Sequence, residues 1–304
     1  MASQRDVKNR ISSVKNIQKI TRAMEMVAAA RLRRAEQRIA ALRPYADALR
    51  RMTRQAAQAA GAEAARLPLL SEHESTDNVG LLLITGDRGL AGAFNSQIIR
   101  AGVRISNEYG EEQKRIVWYA TGRRGVSSLN FRGRELSGSY TGFSDRPAYA
   151  DARSIADDLI TGYIDGQLDR VEIVYNAYIS PLTQEVTRET LLPLSAATIA
   201  AEGPGEADSE GQAEPAGPRA LVDYEPDPEE ILKRLVPDYV EISIYRALVE
   251  STAGFFGAQM TAMRSASENA GEIITDLTLQ MNRARQAEIT QEIMEVVAGA
   301  EGLS

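Results

Sequence analysis

RARQAEITQEIMEVVAGA, residues 283–300, is a helical sequence that leaves itself no polar face. From Ile293 to Ala300 every residue is apolar or small except Glu295. A helix that is apolar all round is buried on all sides. Upstream, from Tyr239 through Ile242, Val249, Phe256, Met263, Ile274 and Leu277 to Ala284, the apolar residues recur mostly at threes and fours, the narrow stripe of a two-helix seam. After Ala284 the stripe jumps five residues to Ile289 and resumes at Ile293, Val296 and Ala300 while the other faces turn apolar too. One partner helix cannot cover such a surface. The expectation is a buried tip, Ile289, Ile293, Val296, Val297 and Ala300, enclosed in a sleeve made by other chains.

The seam itself needs a partner, and the other end of the chain supplies one. Residues 1–60 are rich in Ala, Arg, Met, Gln and Leu, with Val7, Ile11, Val14, Ile20, Met24, Val27, Leu32, Ala35, Ile39 and Leu42 on the helical period. At ~1.5 Å per residue this N-terminal helix would reach roughly 80 Å. Pro44 is its strong breaker and predicts a kink or brief interruption near Arg43. Residues 1–60 hold 14 Lys and Arg against 4 Asp and Glu, whereas 238–300 hold 4 against 9. Two matched rods of opposite charge at opposite ends of one chain predict an antiparallel two-helix coiled coil, 1–60 against 228–304, with a domain inserted between them.

The insert, 77–195, has a different period. NVGLLLITGDRGLAGAF is a short apolar run, a Gly-rich turn and an amphipathic stretch, and KRIVWYATGRRGVSSL repeats strand, turn, helix. ARSIADDLITGYIDGQL reads as a helix, then VEIVYNAYIS and QEVTRETLLPLS as strands, the last ending by Pro193. Alternation of this kind predicts an α/β domain with a mostly parallel sheet. Residues 201–220, nearly all Gly, Ala, Glu and Pro at their start, have little to bury and read as an acidic flexible loop.

Several chemistries are excluded or poorly supported. With no cysteine there is no disulfide, thiolate metal site or thiol nucleophile. His73 is the single histidine, in a polar linker where it reads as solvated, so neither a metal set nor a Ser/His/Asp triad can be assembled. GDRGLAG has G-x-x-G-x-x-G spacing, which is neither a dinucleotide fingerprint nor a P-loop, and reads as a tight turn fixed by Asp87 and Arg88. No catalytic residue, cofactor or metal site is therefore expected. The basic N-terminal helix allows an alternative reading as a nucleic-acid-binding or scaffold coiled coil with an α/β head, although residues 1–44 contain no aromatic side chain to stack on bases. No stretch approaches the ~20 apolar residues of a membrane span, so direct membrane insertion is not expected.

Four stretches, VKNRISSVKNIQKITRAMEMVAAARLRRAEQ, DRGLAGAFN, EPDPEEILKRLVPDY and AMRSASENAGEIITDLTLQMNRARQAEITQEIMEVVAGA, resemble the γ-subunit family of bacterial F-type ATP synthases, in that order and over nearly the whole chain. The resemblance implies a Rossmann-like inserted domain and a central rotor shaft whose tip stands within an α3β3 hexamer and whose foot meets the ε subunit and the membrane c-ring. It implies a non-catalytic coupling subunit, peripheral on the cytoplasmic side of the bacterial cell membrane. By similarity Arg285, Gln286, Thr290 and Glu292 match positions where the shaft meets loops of the β subunits, and Met24 matches a residue facing the same region. Gln286 and Thr290, four apart, share one helical face.

Overall fold

A computed structural model describes residues 4–194 and 227–301; the acidic stretch assigned to 201–220 lies outside the described residues. By packing, the chain divides into two units, one of residues 1–29 with 259–304 and the other of residues 30–258. Helix α1 (Gln4–Ala60) and the last helix, α5 (Pro228–Glu301), each contribute to both.

Both long helices run through a proline, so no interruption occurs at Pro44. Proline removes the bond to the carbonyl four residues back. For Pro44 that carbonyl belongs to Ala40 and for Pro237 to Lys233, both exposed residues, so water can take the freed acceptor.

In the smaller unit the two helices are antiparallel. Glu25 pairs with Arg264, Gln18 Nε2 donates to the Ser267 carbonyl at 3.2 Å, and Val7 and Ile11 share a buried cluster with Leu277. Val14, Ile274 and Met281 flank that cluster. Arg264 Nε lies 2.9 Å from Glu25 Oε1, a pair whose polarity is opposite to the overall charge of the two segments. Apolar contact along the period therefore holds this seam more than the basic-to-acidic contrast does, since a partly exposed ion pair contributes only ~0–1 kcal/mol.

The larger unit is built on a five-stranded sheet of order β3-β2-β1-β4-β5. Its strands are β1 (Asn78–Ile84), β2 (Arg115–Thr121), β3 (Leu136–Tyr140), β4 (Arg170–Tyr178) and β5 (Gln184–Leu192). All neighbours are parallel except β4 and β5, where Val174 faces Arg188 in an antiparallel ladder. β1 is apolar at nearly every position because helices cover both of its faces. Helices α2 (Phe94–Glu111), α3 (Arg123–Phe131) and α4 (Tyr149–Ile164) connect the strands. α2 lies close on β1 because a Cβ at Gly102 would stand 2.7 Å from a Leu83 methyl.

The core is not closed by the inserted segment alone. Leu82, Ile155, Leu159, Tyr163, Ile173 and Tyr175 join one buried cluster with Leu232, Val240, Ile244 and Leu248 of α5 and Leu49 and Ala56 of α1. The linker before β1 is held as well. His73, expected to be solvated, stacks on Tyr163 with ring centroids 4.4 Å apart and sets Nδ1 3.3 Å from Asp169 Oδ1. The Tyr163 hydroxyl donates to the Ser71 carbonyl at 2.7 Å, so the polar linker is laid onto α4 rather than left in water.

Candidate partner interface on the C-terminal helix

Past Met281, α5 runs beyond the apolar cluster it shares with α1. Every residue from Arg285 to Ala298 is exposed in the single chain. The tip residues read from the sequence as buried are thus at the surface: Ile289 is 43%, Ile293 56%, Val296 72% and Val297 48% exposed. The Ala300 side chain lies outside the described residues. Among the described residues nothing covers these side chains, an apolar helix surface of the kind that contacts between proteins use.

Arg285, Gln286, Thr290 and Glu292 are all exposed on the same stretch of helix. The Thr290 hydroxyl donates to the Gln286 carbonyl at 2.9 Å, which ties it to its own helix, and Gln291 Nε2 donates to Glu295 at 3.0 Å. The Arg285 guanidinium and the Gln286 amide are exposed on the same stretch, among both polar residues (Asn282, Glu288) and apolar ones (Met281, Ile289). Met24 is half-buried on α1, next to the Glu25 that pairs with Arg264. At 1.5 Å per residue that is roughly 30 Å of helix from Arg285. The structure does not bring Met24 together with the group at 285–292.

The Gly-rich turn after β1 is a structural device. Asp87 accepts from the backbone N–H groups of Gly142 and Ser144 at 3.0 and 3.1 Å and of Arg123 at 3.1 Å, while its own N–H donates to Ser144 Oγ. Burial pushes the carboxyl up, but these hydrogen bonds outweigh it and hold it below its ordinary value. Arg88 pairs with Asp145 at 3.3 Å. In folds of this topology ligands enter the crevice beyond the carboxyl ends of the strands. Here Phe255, Leu248 and Thr252 of α5 reach into it, and Phe255 meets Phe94 edge-on at 5.5 Å. The space left is about 10 Å³, room for one water at most.

A buried ionic group escaped sequence reading. Glu172 on β4 is 1% exposed, with Arg188 Nε at 2.8 Å, Arg170 Nε at 3.0 Å and the Tyr109 hydroxyl donating at 2.7 Å. Burial, then the Glu172 carboxylate, push the Tyr109 hydroxyl up. Two cations and one donor satisfy this carboxylate, which gives it a structural rather than an acid–base role. Among the described residues no group of three or more His, Asp or Glu side chains could hold a metal ion.

The family model described as ATP synthase matches residues 3–303. The chain is 43% identical to the "ATP synthase gamma chain" of Rubrobacter xylanophilus, over 100% of this chain and 99% of the other. It is 42% identical to that of Streptomyces avermitilis, over 100% and 97%. In fold it resembles a chain of the mitochondrial ATP synthase of Euglena gracilis, in an assembly of OSCP, F1 and c-ring, with a TM-score of 0.66, 16% identity and 99% and 94% of the two chains covered. A chain from the central stalk and c-ring of the Tetrahymena thermophila enzyme gives 0.59 at 23% identity, over 82% and 99%.

Proposed function

Since the chain belongs to the ATP synthase gamma chain family, we propose that it is the central-stalk rotor of the F1 sector, which couples proton flow through a membrane c-ring to ATP synthesis in catalytic β subunits. The observation that carries this reading is the C-terminal end of α5, which leaves its helical partner and presents Ile289, Ile293, Val296 and Val297 to the outside. An α3β3 ring would bury that surface on every side. The foot would meet the ε subunit and the c-ring.

Catalysis belongs to the surrounding subunits, and this chain acts by contact. A shaft shifts the conformations of the sites around it only through the difference in its contact energy with each of them. A mostly apolar tip suits that task, because few directional bonds must break at each step. Arg285 and Gln286 supply the few polar contacts, and Met24 an apolar one on α1. No helix among the described residues is long and apolar enough to cross a membrane, so attachment to the cytoplasmic face of the bacterial membrane would run through the complex. The nucleic-acid reading gains nothing from the relatives.

The test is the double substitution Val296→Asp with Val297→Asp. Both residues are exposed in the single chain, so its own unfolding should move by less than ~0.5 kcal/mol. Co-purification with α and β subunits and ATP-driven proton pumping should be lost, because two carboxylates would be buried without partners. Normal pumping by this variant would show that the tip is not enclosed.

A further inference from the structure

In the larger unit, Arg31, Arg34 and Arg38 lie on one face of α1 at i, i+3 and i+7, and with Arg146 they line a cavity of about 380 Å³ beside Asp145 and Phe256. One of these four arginines is accounted for. Arg31 Nη1 pairs with Asp145 Oδ2 at 3.0 Å and its guanidinium lies 5.5 Å from the centre of the Phe256 ring, while the same Asp145 oxygen also takes Arg88. Asp145 is thereby committed to two cations. The guanidinium groups of Arg34, Arg38 and Arg146 have no carboxylate partner among the described residues. Three unpaired like charges around one concavity repel one another, and a multiply charged anion between them removes that cost.

We infer that this cavity is a binding site for a compact polyphosphate, inorganic or as the triphosphate of a nucleotide. A guanidinium presents a planar fork matched to two phosphoryl oxygens, and here the forks come from two separate segments, α1 and the loop before α4. The volume is that of an ordinary small-ligand pocket. An acidic polypeptide could also neutralise the charges, but a half-open concavity with cations on two sides suits a short, dense anion better than an extended strand. The site is separate from the Gly-rich turn, whose crevice Phe255 fills. It does not rest on the rotor reading.

The full-length chain is titrated calorimetrically with sodium tripolyphosphate at low ionic strength, and with ATP in the absence of magnesium as the second arm. Saturable one-to-one binding that weakens as salt is added is expected. Arg34→Gln, Arg38→Gln and Arg146→Gln should each weaken it about tenfold or more, by loss of a charge-assisted hydrogen bond. Arg33→Gln removes the same charge one position away, outside the cavity, and should change it less than about twofold. ATP that competes with tripolyphosphate assigns the nucleotide source, and ATP that does not assigns the inorganic one. Circular dichroism melts check that each variant is folded, as Arg33, Arg34 and Arg146 are exposed. Absence of saturable binding, equal weakening by Arg33→Gln, or binding of a polyglutamate peptide in place of tripolyphosphate would overturn the assignment.

Discussion

Glu250 sits in an environment that disfavours its charge, with an effect that is simple to measure. Burial pushes its carboxyl up to about 7 from an ordinary 4.5; Arg246 pulls the other way, Glu189 adds to the rise, and Arg43 and Tyr175 also favour the charged form. The native state therefore holds this proton more tightly than the unfolded chain does. Its contribution is undiminished below pH 4.5 and is lost as pH rises towards 7. Glu250→Gln, which keeps the volume without the charge, should be more stable than the parent at pH 8 by on the order of 2 kcal/mol and nearly equal to it at pH 4.5. Urea unfolding at the two values measures this. An equal effect at both would point to packing instead. Neither this network nor the one around Glu172 could be read from the sequence, because their members, Tyr109, Arg170, Glu172 and Arg188 in one case, meet only through sheet pairing and helix packing.

The terminal helices were the legible elements. Their three-and-four period extends over dozens of residues, and no turn chemistry competes with it. What the sequence could not reveal was that a proline survives inside a helix when the carbonyl it orphans lies at an exposed residue, as at Ala40 and Lys233. It also hid β3, where LSGSY is short and carries Gly and Ser; the strand is defined by its pairing with β2, not by its own propensity. Leu277 lies 5% exposed within the seam, on neither kind of tolerant position. Leu277→Pro should cost ~3 kcal/mol or more and uncouple ATP hydrolysis from proton pumping in the reconstituted complex. Pumping at the parent rate would show that torque does not pass through an unbroken α5.

At the scale of the molecule, reading the chain as two rods with an insert hid how the sheet is completed. The apolar side chains of α1 beyond residue 30 and of α5 before residue 258 fill the same core as the strands. A fragment of residues 77–195 should therefore lack a cooperative thermal transition, whereas one of residues 30–258 should melt cooperatively; the reverse would mean that the sheet folds without its flanking helices. At the end of α5 the sequence shows only that most letters are apolar or small; Ile289, Ile293, Val296 and Val297 are exposed in the single chain, and their enclosure by other chains is what the Val296 and Val297 substitutions test. The stopper that Phe255 drives into the mouth of the sheet has one more consequence. A fold suited to housing guests is here occupied by its own polypeptide, so the vacancy is latent rather than lost. Phe255→Ala should cost ~3–5 kcal/mol and reopen a hollow in which the hydroxyls of Thr85, Thr121, Ser144 and Thr252 hold ordered water, which a crystal structure of the variant would show.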